Sequence, residues 1–317
     1  MASDLLVIGD CSIDQYMDVD DSMVLSEPST NEEKVCFLLG SKVPVLKFNS
    51  RLAGNACHVG IGCQRLGIPT SIYTELGDDG YAQNFIDKFV IEGVDTTYCE
   101  TNKGTNTNIH VIILHAGDRT IFSYHKPCSY KLPFETMSKP KWIYYTSLAS
   151  GFEKFQSELA SYLNTNPEIG LAFNPGSFQL KAGVDILREI ISRTNILFVN
   201  KEEAYRILGE EPDQDIALKK LHEMLCDLGA NVTVITDGKN GSSAYDGTQF
   251  EQVDAPELKS IVKNKTGAGD SYASAFLSAI YYKKSLKEAL AWGNRNSASV
   301  IENSGWEKGL LTKTQIQ

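Results

Sequence analysis

The sequence has few cysteines, and no two of them have the spacing of a metal-binding or redox motif. The seven cysteines are odd in number and include no C-x-x-C, so we expect neither a disulfide framework nor a zinc site. Long apolar runs are also missing. The first apolar segment, Leu5 to Ile8, is far too short to cross a bilayer, and no basic leader precedes it. We therefore expect a reduced, cytoplasmic protein without a membrane partner.

Basic residues are fewer than acidic ones. The chain has 30 Lys and Arg against 40 Asp and Glu, a net charge of −10 at pH 7, which disfavours nucleic acid and anionic membranes as partners. A small molecule is the expected partner instead. With 317 residues, 42% of them hydrophobic, the chain can bury a large core. Length and composition are compatible with a single α/β domain and also with two domains.

A dinucleotide fingerprint is absent as well. The first apolar run is followed by Gly9-Asp10-Cys11-Ser12-Ile13-Asp14, without G-x-G-x-x-G, so a Rossmann dehydrogenase loses its main support. Apolar runs of strand length alternate with helical patterns, which predicts a parallel sheet covered on both faces. The runs are Leu5 to Gly9, Thr70 to Thr74, Trp142 to Thr146, Gly170 to Phe173, Ile196 to Asn200 and Asn231 to Thr236.

Two helices and two hairpins are also predicted. One helix carries Val59, Cys63 and Leu66 and ends at Gly67, and another begins at Ser285 with a capping box to Glu288. Antiparallel pairs are predicted for Val35 to Leu39 with Val43 to Phe48 around Gly40, and for Asn108 to Leu114 with Thr120 to Tyr124 around Gly117-Asp118. The hairpins form either a lid or a decorated sheet edge.

Near the C-terminus, a glycine turn opens an apolar helix. In Thr266-Gly267-Ala268-Gly269-Asp270, the glycines and the first turn of the helix present N–H groups that hold an anion. Asp270 beside that anion is placed either to accept a proton or merely to cap its helix. A carboxylate next to an anion hole favours the chemical role.

This segment resembles the second signature of the PfkB, or ribokinase-like, family of carbohydrate and nucleoside kinases. Further family-like elements lie upstream in the expected order: Gly54-Asn55, Asn200-x-x-Glu203 and Thr236-x-Gly238-x-x-Gly241. The resemblance spans nearly the whole chain. It implies a ribokinase-like three-layer α/β/α sandwich with a mostly parallel sheet and a small β-sheet lid. It also implies one domain over residues 1–317, with lid segments at about 15–50 and 105–128 that often form a dimer contact.

The resemblance implies an ATP-dependent sugar kinase that uses Mg²⁺. Asp270 would be the base and Gly267, Ala268 and Gly269 the anion hole. Asp14, Gly54 and Asn55 would bind the sugar, and Arg119 would approach from the lid. Asn200 would lie near the phosphates, Glu203 would hold Mg²⁺ through water, and Thr236, Gly238 and Gly241 would accommodate the nucleotide.

Several residues have competing interpretations. Asp10 is a second candidate for the carboxylate that binds the sugar, although its position suits a turn residue better. Asn55 could instead cap a helix. Thr236 to Gly241 could be an ordinary hairpin turn, and the side chain of Arg119 could simply be solvated. His110, His115 and His125 lack metal-ligand spacing and are interpreted as strand-face residues. Trp142 and Trp292 are expected in the core, and Trp306 has no interpretation.

Two departures from the family pattern and the choice of substrate remain. Asn264 stands where the family usually has Asp, so activation by K⁺ is left open, and Ala53-Gly54 replaces the usual Gly-Gly. A binding protein with little turnover is a second class of hypothesis. Residues 53–59 contain no Lys to hold a substrate phosphate, which favours a neutral sugar. A nucleoside is the alternative, with Phe37, Phe48, Phe122 and Tyr124 as aromatic walls. The sequence identifies neither the sugar nor its hydroxyl.

Overall fold

The computed structural model describes residues 3–20, 25–26, 35–115, 118–211, 214–258, 266–303 and 305–317. The strands in these ranges are β1 (Leu5–Ile8), β2 (Ser12–Val19), β3 (Leu25–Ser26), β4 (Val35–Cys36), β5 (Val45–Ala53), β6 (Thr70–Gly77), β7 (Asp95–Asn102), β8 (Asn108–His115), β9 (Asp118–Tyr124), β10 (Trp142–Tyr145), β11 (Gly170–Phe173), β12 (Ile196–Asn200), β13 (Val232–Thr236), β14 (Ser242–Tyr245) and β15 (Phe250–Val253).

The helices in the same ranges are α1 (Asn55–Arg65), α2 (Gly80–Glu92), α3 (Phe152–Thr165), α4 (Ser177–Ala182), α5 (Val184–Ser192), α6 (Lys201–Leu208), α7 (Leu218–Asp227), α8 (Ala268–Tyr281), α9 (Leu286–Glu302), α10 (Trp306–Gly309) and α11 (Lys313–Ile316). Among the described helices, none is both long and apolar enough to cross a lipid bilayer.

A nine-stranded sheet of order β15-β14-β13-β12-β11-β10-β1-β6-β7 forms the centre of the fold. Its pairs are parallel from β13 to β7, and only β14 and β15 run antiparallel to their neighbours. The six strands predicted from apolar runs are all present in this sheet. Because β1 lies between β10 and β6, the strand order reverses there, and open α/β sheets place ligands at the carboxyl ends of such strands.

Both faces of the large sheet are buried. Leu5 and Val7 of β1 belong to a core with α1, α2, α8 and α9, whereas Leu6 and Ile8 belong to a core with α3, α5, α6 and α7. Alternate residues of a strand point to opposite faces, so the near-continuous apolar run of β1 supplies both cores. This arrangement gives the predicted layers of helix, sheet and helix.

The two predicted helix boundaries are confirmed. Helix α1 ends at Arg65, and Gly67 follows with φ of +89°. At the start of α9, Ser285 Oγ accepts a hydrogen bond from Glu288 N, and Glu288 Oε2 accepts one from Ser285 N at 2.9 Å. Of the tryptophans, Trp292 is buried and Trp142 packs partly buried against the core, as expected.

A second, four-stranded sheet of order β5-β2-β8-β9 forms from the segments in which the lid is predicted. The hairpin of β8 and β9 is confirmed. The first hairpin is wrong: β5 pairs with β2 from Ser12↔Ala53 to Val19↔Val45, and β4 pairs with β3. The polar residues of β2 hide it as a strand, and its long ladder with β5 satisfies more backbone groups than the short predicted hairpin would.

Candidate active site

Asp270 is buried at the N-terminus of α8. The N-cap of this helix is Gly267, which makes no side-chain capping bond. Asp270 is the third residue of the helix, and its carboxylate is bonded to side chains of α1. Asn55 Nδ2 donates to Asp270 Oδ1 at 2.8 Å, and His58 Nδ1 lies 2.7 Å from Asp270 Oδ2. The interpretation of Asp270 as a mere helix cap is therefore wrong.

The turn before Asp270 has the geometry of an anion site. Gly267 has φ of +78°, a left-handed conformation that glycine adopts without steric cost, and a Cβ on Gly269 would meet no atom within 4 Å. The first amides of α8 have no intrahelical partners and lie at the positive end of the helix dipole. The turn can therefore receive a negatively charged group beside the Asp270 carboxylate.

A cavity of about 340 Å³ opens in front of this turn. It gathers residues from the carboxyl ends of the central strands, from the small sheet and from α1 and α8. The predicted site residues that line it are Asp14, Asn55, Arg119, Asn200, Glu203, Thr236, Gly267, Gly269 and Asp270. Asn174, His110 and Phe198 line the same cavity and were not predicted.

Asp14 and His110 stand side by side in this cavity. They are register partners on β2 and β8, and His110 Nδ1 lies 3.0 Å from Asp14 Oδ1. His110 Nε2 lies 3.2 Å from His125 Nε2. Burial, with the neighbouring His110, lowers the pKa of His125 to about 4. His110 and His115 lie on β8, as the strand-face interpretation expects, whereas His125 follows the end of β9. His110 and His125 also belong to a partly buried chain of hydrogen bonds that reaches Asp14, which the sequence did not predict.

Asp10 lies at the far end of this chain, where its Oδ2 is 3.9 Å from His125 Nδ1. It is buried, does not line the cavity, and accepts a hydrogen bond from Tyr130 OH at 3.0 Å. Burial raises the pKa of Asp10 to about 7, although the Tyr130 hydrogen bond opposes the shift. Of the two rival carboxylates, Asp14 is the one in contact with the cavity.

Asn200 and Glu203 form a capping box at the start of α6. Asn200 Oδ1 accepts from Glu203 N at 2.8 Å, and Glu203 Oε2 accepts from Asn200 N at 2.9 Å. Burial raises the pKa of Glu203, and the nearby Asp270 carboxylate adds to the shift. The spacing N-x-x-E is a helix-start signal in itself, so local rules could have located this helix.

A second cavity of about 550 Å³ adjoins the first, and the two share Thr236, Gly269 and Tyr272. The predicted turn at Thr236 to Gly241 forms one wall. This turn is also the connection between β13 and β14, as its interpretation as a hairpin turn expects. Its role in nucleotide binding stays a prediction. Gly241 has φ of +85°, and a Cβ there would lie 2.1 Å from Val253 O. The remaining residues of this cavity are Lys239, Ala255, Pro256, Glu257, Leu258, Ala268, Asn294, Ser297, Ala298 and Ile301.

Gly54 lines neither cavity. It is the N-cap of α1 with φ of +98°, and a Cβ there would lie 2.6 Å from both Asp10 O and Cys11 Cα. A glycine is therefore required at position 54, because the backbone of the loop after β1 passes too close to it to leave room for a Cβ. Asn55 is the first residue of α1, so its interpretation as the helix cap is wrong.

The predicted aromatic walls do not line these cavities. Phe48, Phe122 and Tyr124 are 59%, 57% and 49% exposed, and neither they nor Phe37 line either cavity. Asn264 lies outside the described residues.

His58 and Trp306 are site neighbours that the sequence did not reveal. Trp306 is buried, its Nε1 donates to Leu52 O at 3.0 Å, and its ring centroid lies 5.3 Å from that of His58. Both residues come from segments far from Asp270 in the chain or separated from it by a helix, so no local pattern marks them.

A sequence model described as pfkB family carbohydrate kinase matches residues 2–313. The chain belongs to the pfkB family of carbohydrate kinases. It is accordingly a phosphotransferase that acts on sugar hydroxyls, which confirms the predicted enzyme class.

Named relatives and solved structures are similar to this chain over most of its length. The fructoselysine 6-kinase of Shigella flexneri is 25% identical over 252 residues, which cover 80% of this chain and 90% of that protein. The crystal structure of ribokinase from Cryptococcus neoformans var. grubii serotype A, in complex with ADP, matches with a TM-score of 0.76 and 22% identity over 99% of each chain. The Methanocaldococcus jannaschii nucleoside kinase, an archaeal member of the ribokinase family, matches with a TM-score of 0.77 and 18% identity over 100% of this chain and 98% of that one. The predicted ribokinase-like fold is confirmed.

Proposed function

We propose that this kinase transfers the γ-phosphoryl group of ATP to a hydroxyl of a neutral sugar, with Asp270 as the base. One observation carries the proposal. The carboxylate of Asp270 and the turn at residues 267–269 lie together at the wall that joins the two cavities. A sugar in the first cavity and a nucleotide in the second would meet at that point.

The chemistry follows from this placement. The sugar hydroxyl oxygen attacks the γ-phosphorus of ATP while the bond to the β,γ-bridging oxygen breaks, and ADP leaves with that electron pair. Asp270 accepts the proton of the attacking hydroxyl. Backbone N–H groups of Gly267, Ala268 and Gly269 stabilise the transferring phosphoryl group, whose negative charge is spread over its oxygens.

The electrostatics of the first cavity favour a neutral acceptor. Asp14, Glu203 and Asp270 all line it, against one cation, Arg119, and no Lys is found among its described lining residues. These carboxylates would repel a second phosphate or a carboxylate on the substrate. Asp14 and Asn55 supply an acceptor and an amide for sugar hydroxyls, and Arg119 approaches from β9. Because the four lid aromatics lie outside the cavity, the nucleoside alternative loses the feature that favoured it.

The second cavity suits the nucleotide. Ala255, Pro256, Leu258, Ala298 and Ile301 offer apolar walls for a base. Thr236, Gly238 and Gly241 bring backbone close to the phosphates, and Asn200 lies near the junction.

Mg²⁺ fits the donor set at this junction. Among the described residues, no cluster of three or more His, Cys, Asp or Glu side chains could hold a metal by itself. Mg²⁺ typically binds through one or two carboxylates, water and substrate phosphates. Glu203 would hold it through water, because its capping bond occupies Oε2 and leaves the other carboxylate oxygen. When bound, Mg²⁺ would neutralise the phosphate charge.

The two capping boxes offer a matched test of the site at Asn200. We expect Asn200→Ala and Ser285→Ala each to lower the free energy of unfolding by about 1 kcal/mol, the usual cost of an N-cap. Only Asn200→Ala should also raise the KM for ATP·Mg²⁺, since Ser285, at the N-terminus of α9, lines neither cavity. Denaturant unfolding and steady-state kinetics measure the two effects. An equal KM for both variants would remove Asn200 from the phosphate site.

A ligand screen tests the proposed substrate class. Neutral sugars, phosphosugars and nucleosides are added with a nonhydrolysable ATP analogue, and the melting temperature is measured, because a ligand that binds the native state stabilises it. We expect the largest rise with a neutral sugar. A larger rise with a nucleoside would favour the alternative activity.

We also propose that the four-stranded sheet closes over the substrate. The outer residues Phe48, Phe122 and Tyr124 are about half exposed, and Arg119 connects β9 to the cavity. Closure would exclude water from a phosphoryl group that could otherwise be lost to hydrolysis. The same exposed apolar face would suit a homodimer contact.

Hydrogen exchange distinguishes a lid from a fixed interface. Amide exchange in residues 35–48 and 108–124 should slow when sugar and nucleotide are added, whereas β12 should already exchange slowly and change little. Full protection without ligand would contradict a closing lid and indicate a fixed edge or a permanent dimer. Arg119 would then lose its role on closure.

A further inference from the structure

We propose that His58 is a positioning residue for the catalytic carboxylate. His58 donates a hydrogen bond from Nδ1 to Asp270 Oδ2 and holds that carboxylate beside the anion-binding turn. The inference rests on the proposed function, because it concerns the reaction in which Asp270 would be the base.

The contact between the two side chains defines the proton on the imidazole. His58 Nδ1 lies 2.7 Å from Asp270 Oδ2, and both residues are buried. A bare lone pair on Nδ1 would face the lone pairs of the carboxylate and repel it, so the short contact requires a proton on Nδ1. Charge-assisted hydrogen bonds of this length are stronger than neutral ones.

The other nitrogen of His58 argues against a purely structural role. Nε2 is buried and has no hydrogen-bond partner among the described residues. Burying an unpaired polar atom costs free energy, so an apolar side chain of similar size would pack there at lower cost. The hydrogen bond to Asp270 is the contact that favours an imidazole over an apolar side chain at this position.

His58 acts together with Asn55. The two residues lie one turn apart on α1, and each donates to a different oxygen of Asp270. Side chains three positions apart share one face of a helix, so a single helix fixes the plane of the carboxylate. Helix α1 lies so close to α8 that position 62 requires glycine, since a Cβ there would lie 2.5 Å from Ser274 Oγ.

The imidazole also lies close to Trp306 and to the turn. The Trp306 ring packs against it, at 5.3 Å between ring centroids. A Cβ on Gly267 would lie 3.2 Å from His58 Nδ1, closer than an ordinary contact, so the turn approaches the imidazole as only a glycine can. His58 is therefore bonded to the base and close to the turn that would bind the phosphoryl group.

Two variants separate positioning from packing. His58→Leu removes the donor, and we expect kcat to fall about 10- to 100-fold, the range seen when the partner of a functional side chain is removed. The KM values for sugar and ATP should change little. His58→Asn places an amide Nδ2 where Nδ1 was and should recover most of kcat. His222→Asn is the control, because His222 is buried, bonded to Thr233 and Ser243, and outside both cavities. It should lower stability and leave kcat unchanged.

A spectroscopic measurement is independent of activity. In protein labelled with ¹⁵N-histidine, the ring signals of His58 are assigned by their loss in His58→Asn, and they should show a proton on Nδ1. If the wild-type protein phosphorylates no sugar, the proposed function fails, while this spectrum still decides whether His58 donates to Asp270. A bare Nδ1, a wild-type kcat in His58→Leu, or equal losses of kcat in His58→Leu and His58→Asn would overturn the proposal.

Discussion

Replacing Asp270 with Asn should lower kcat by about 100-fold or more, the scale expected when a positioned general base is removed. The carboxamide keeps the size of the side chain, so the fold and nucleotide binding should persist. Its nitrogen cannot accept the hydroxyl proton. Single-turnover kinetics and a titration with ATP measure the two properties separately.

The control for this variant is Asp87→Asn. Asp87 is an exposed residue of α2 that accepts a hydrogen bond from Gln83, so its loss should not change kcat. Wild-type turnover by Asp270→Asn would mean that Asp270 is not the base, and the site would need another proton acceptor.

Replacing Asp14 with Ala should weaken sugar binding by roughly 1.5 to 3 kcal/mol, the cost of removing a charged partner from a buried hydrogen bond. ATP affinity should be retained, because Asp14 lines the first cavity and not the second. Calorimetric titration with the sugar and with ATP measures the two affinities separately and tests whether Asp14 lies on the sugar side of the site.

Asp18→Ala is the matched control on the same strand. Asp18 lies 3.9 Å from Lys47 in a surface ion pair, and such pairs contribute little to stability. It should bind both ligands like the wild type. Equal losses of sugar and ATP affinity in Asp14→Ala would show that the two cavities are assigned wrongly.

The parts of the fold that depend on local patterns were predictable. The apolar runs of the central sheet identify its strands, because a strand buried on both faces consists almost entirely of apolar residues. The capping box at Ser285 and the glycine after α1 locate helix ends through backbone hydrogen bonding. The box at Asn200 and Glu203 follows the same rule.

The pairing of the small sheet was not predictable in the same way. Strand β2 carries Asp14, Gln15 and Asp18, so its polar residues hide it from a hydrophobic pattern. Its partners β5 and β8 come from distant parts of the chain, and only the folded structure brings them together.

The same limit applies to the site. Asp14 and Asp270 were found through short motifs, whereas His58 and His110 acquire their significance from contacts across the fold. His110 meets Asp14 because β2 and β8 are in parallel register. His58 meets Asp270 because α1 and α8 are in contact. Neither contact leaves a signature in one sequence.

The most direct test of the central claim is to follow the phosphoryl group itself. Protein, ATP and Mg²⁺ are incubated with a panel of neutral sugars and nucleosides, and ³¹P NMR identifies the products. We predict that a neutral sugar becomes a phosphate monoester as ADP forms in equal amount, and that Asp270→Asn slows this reaction by about 100-fold or more. Transfer to a nucleoside alone, or binding of both ligands without any transfer, would contradict the account.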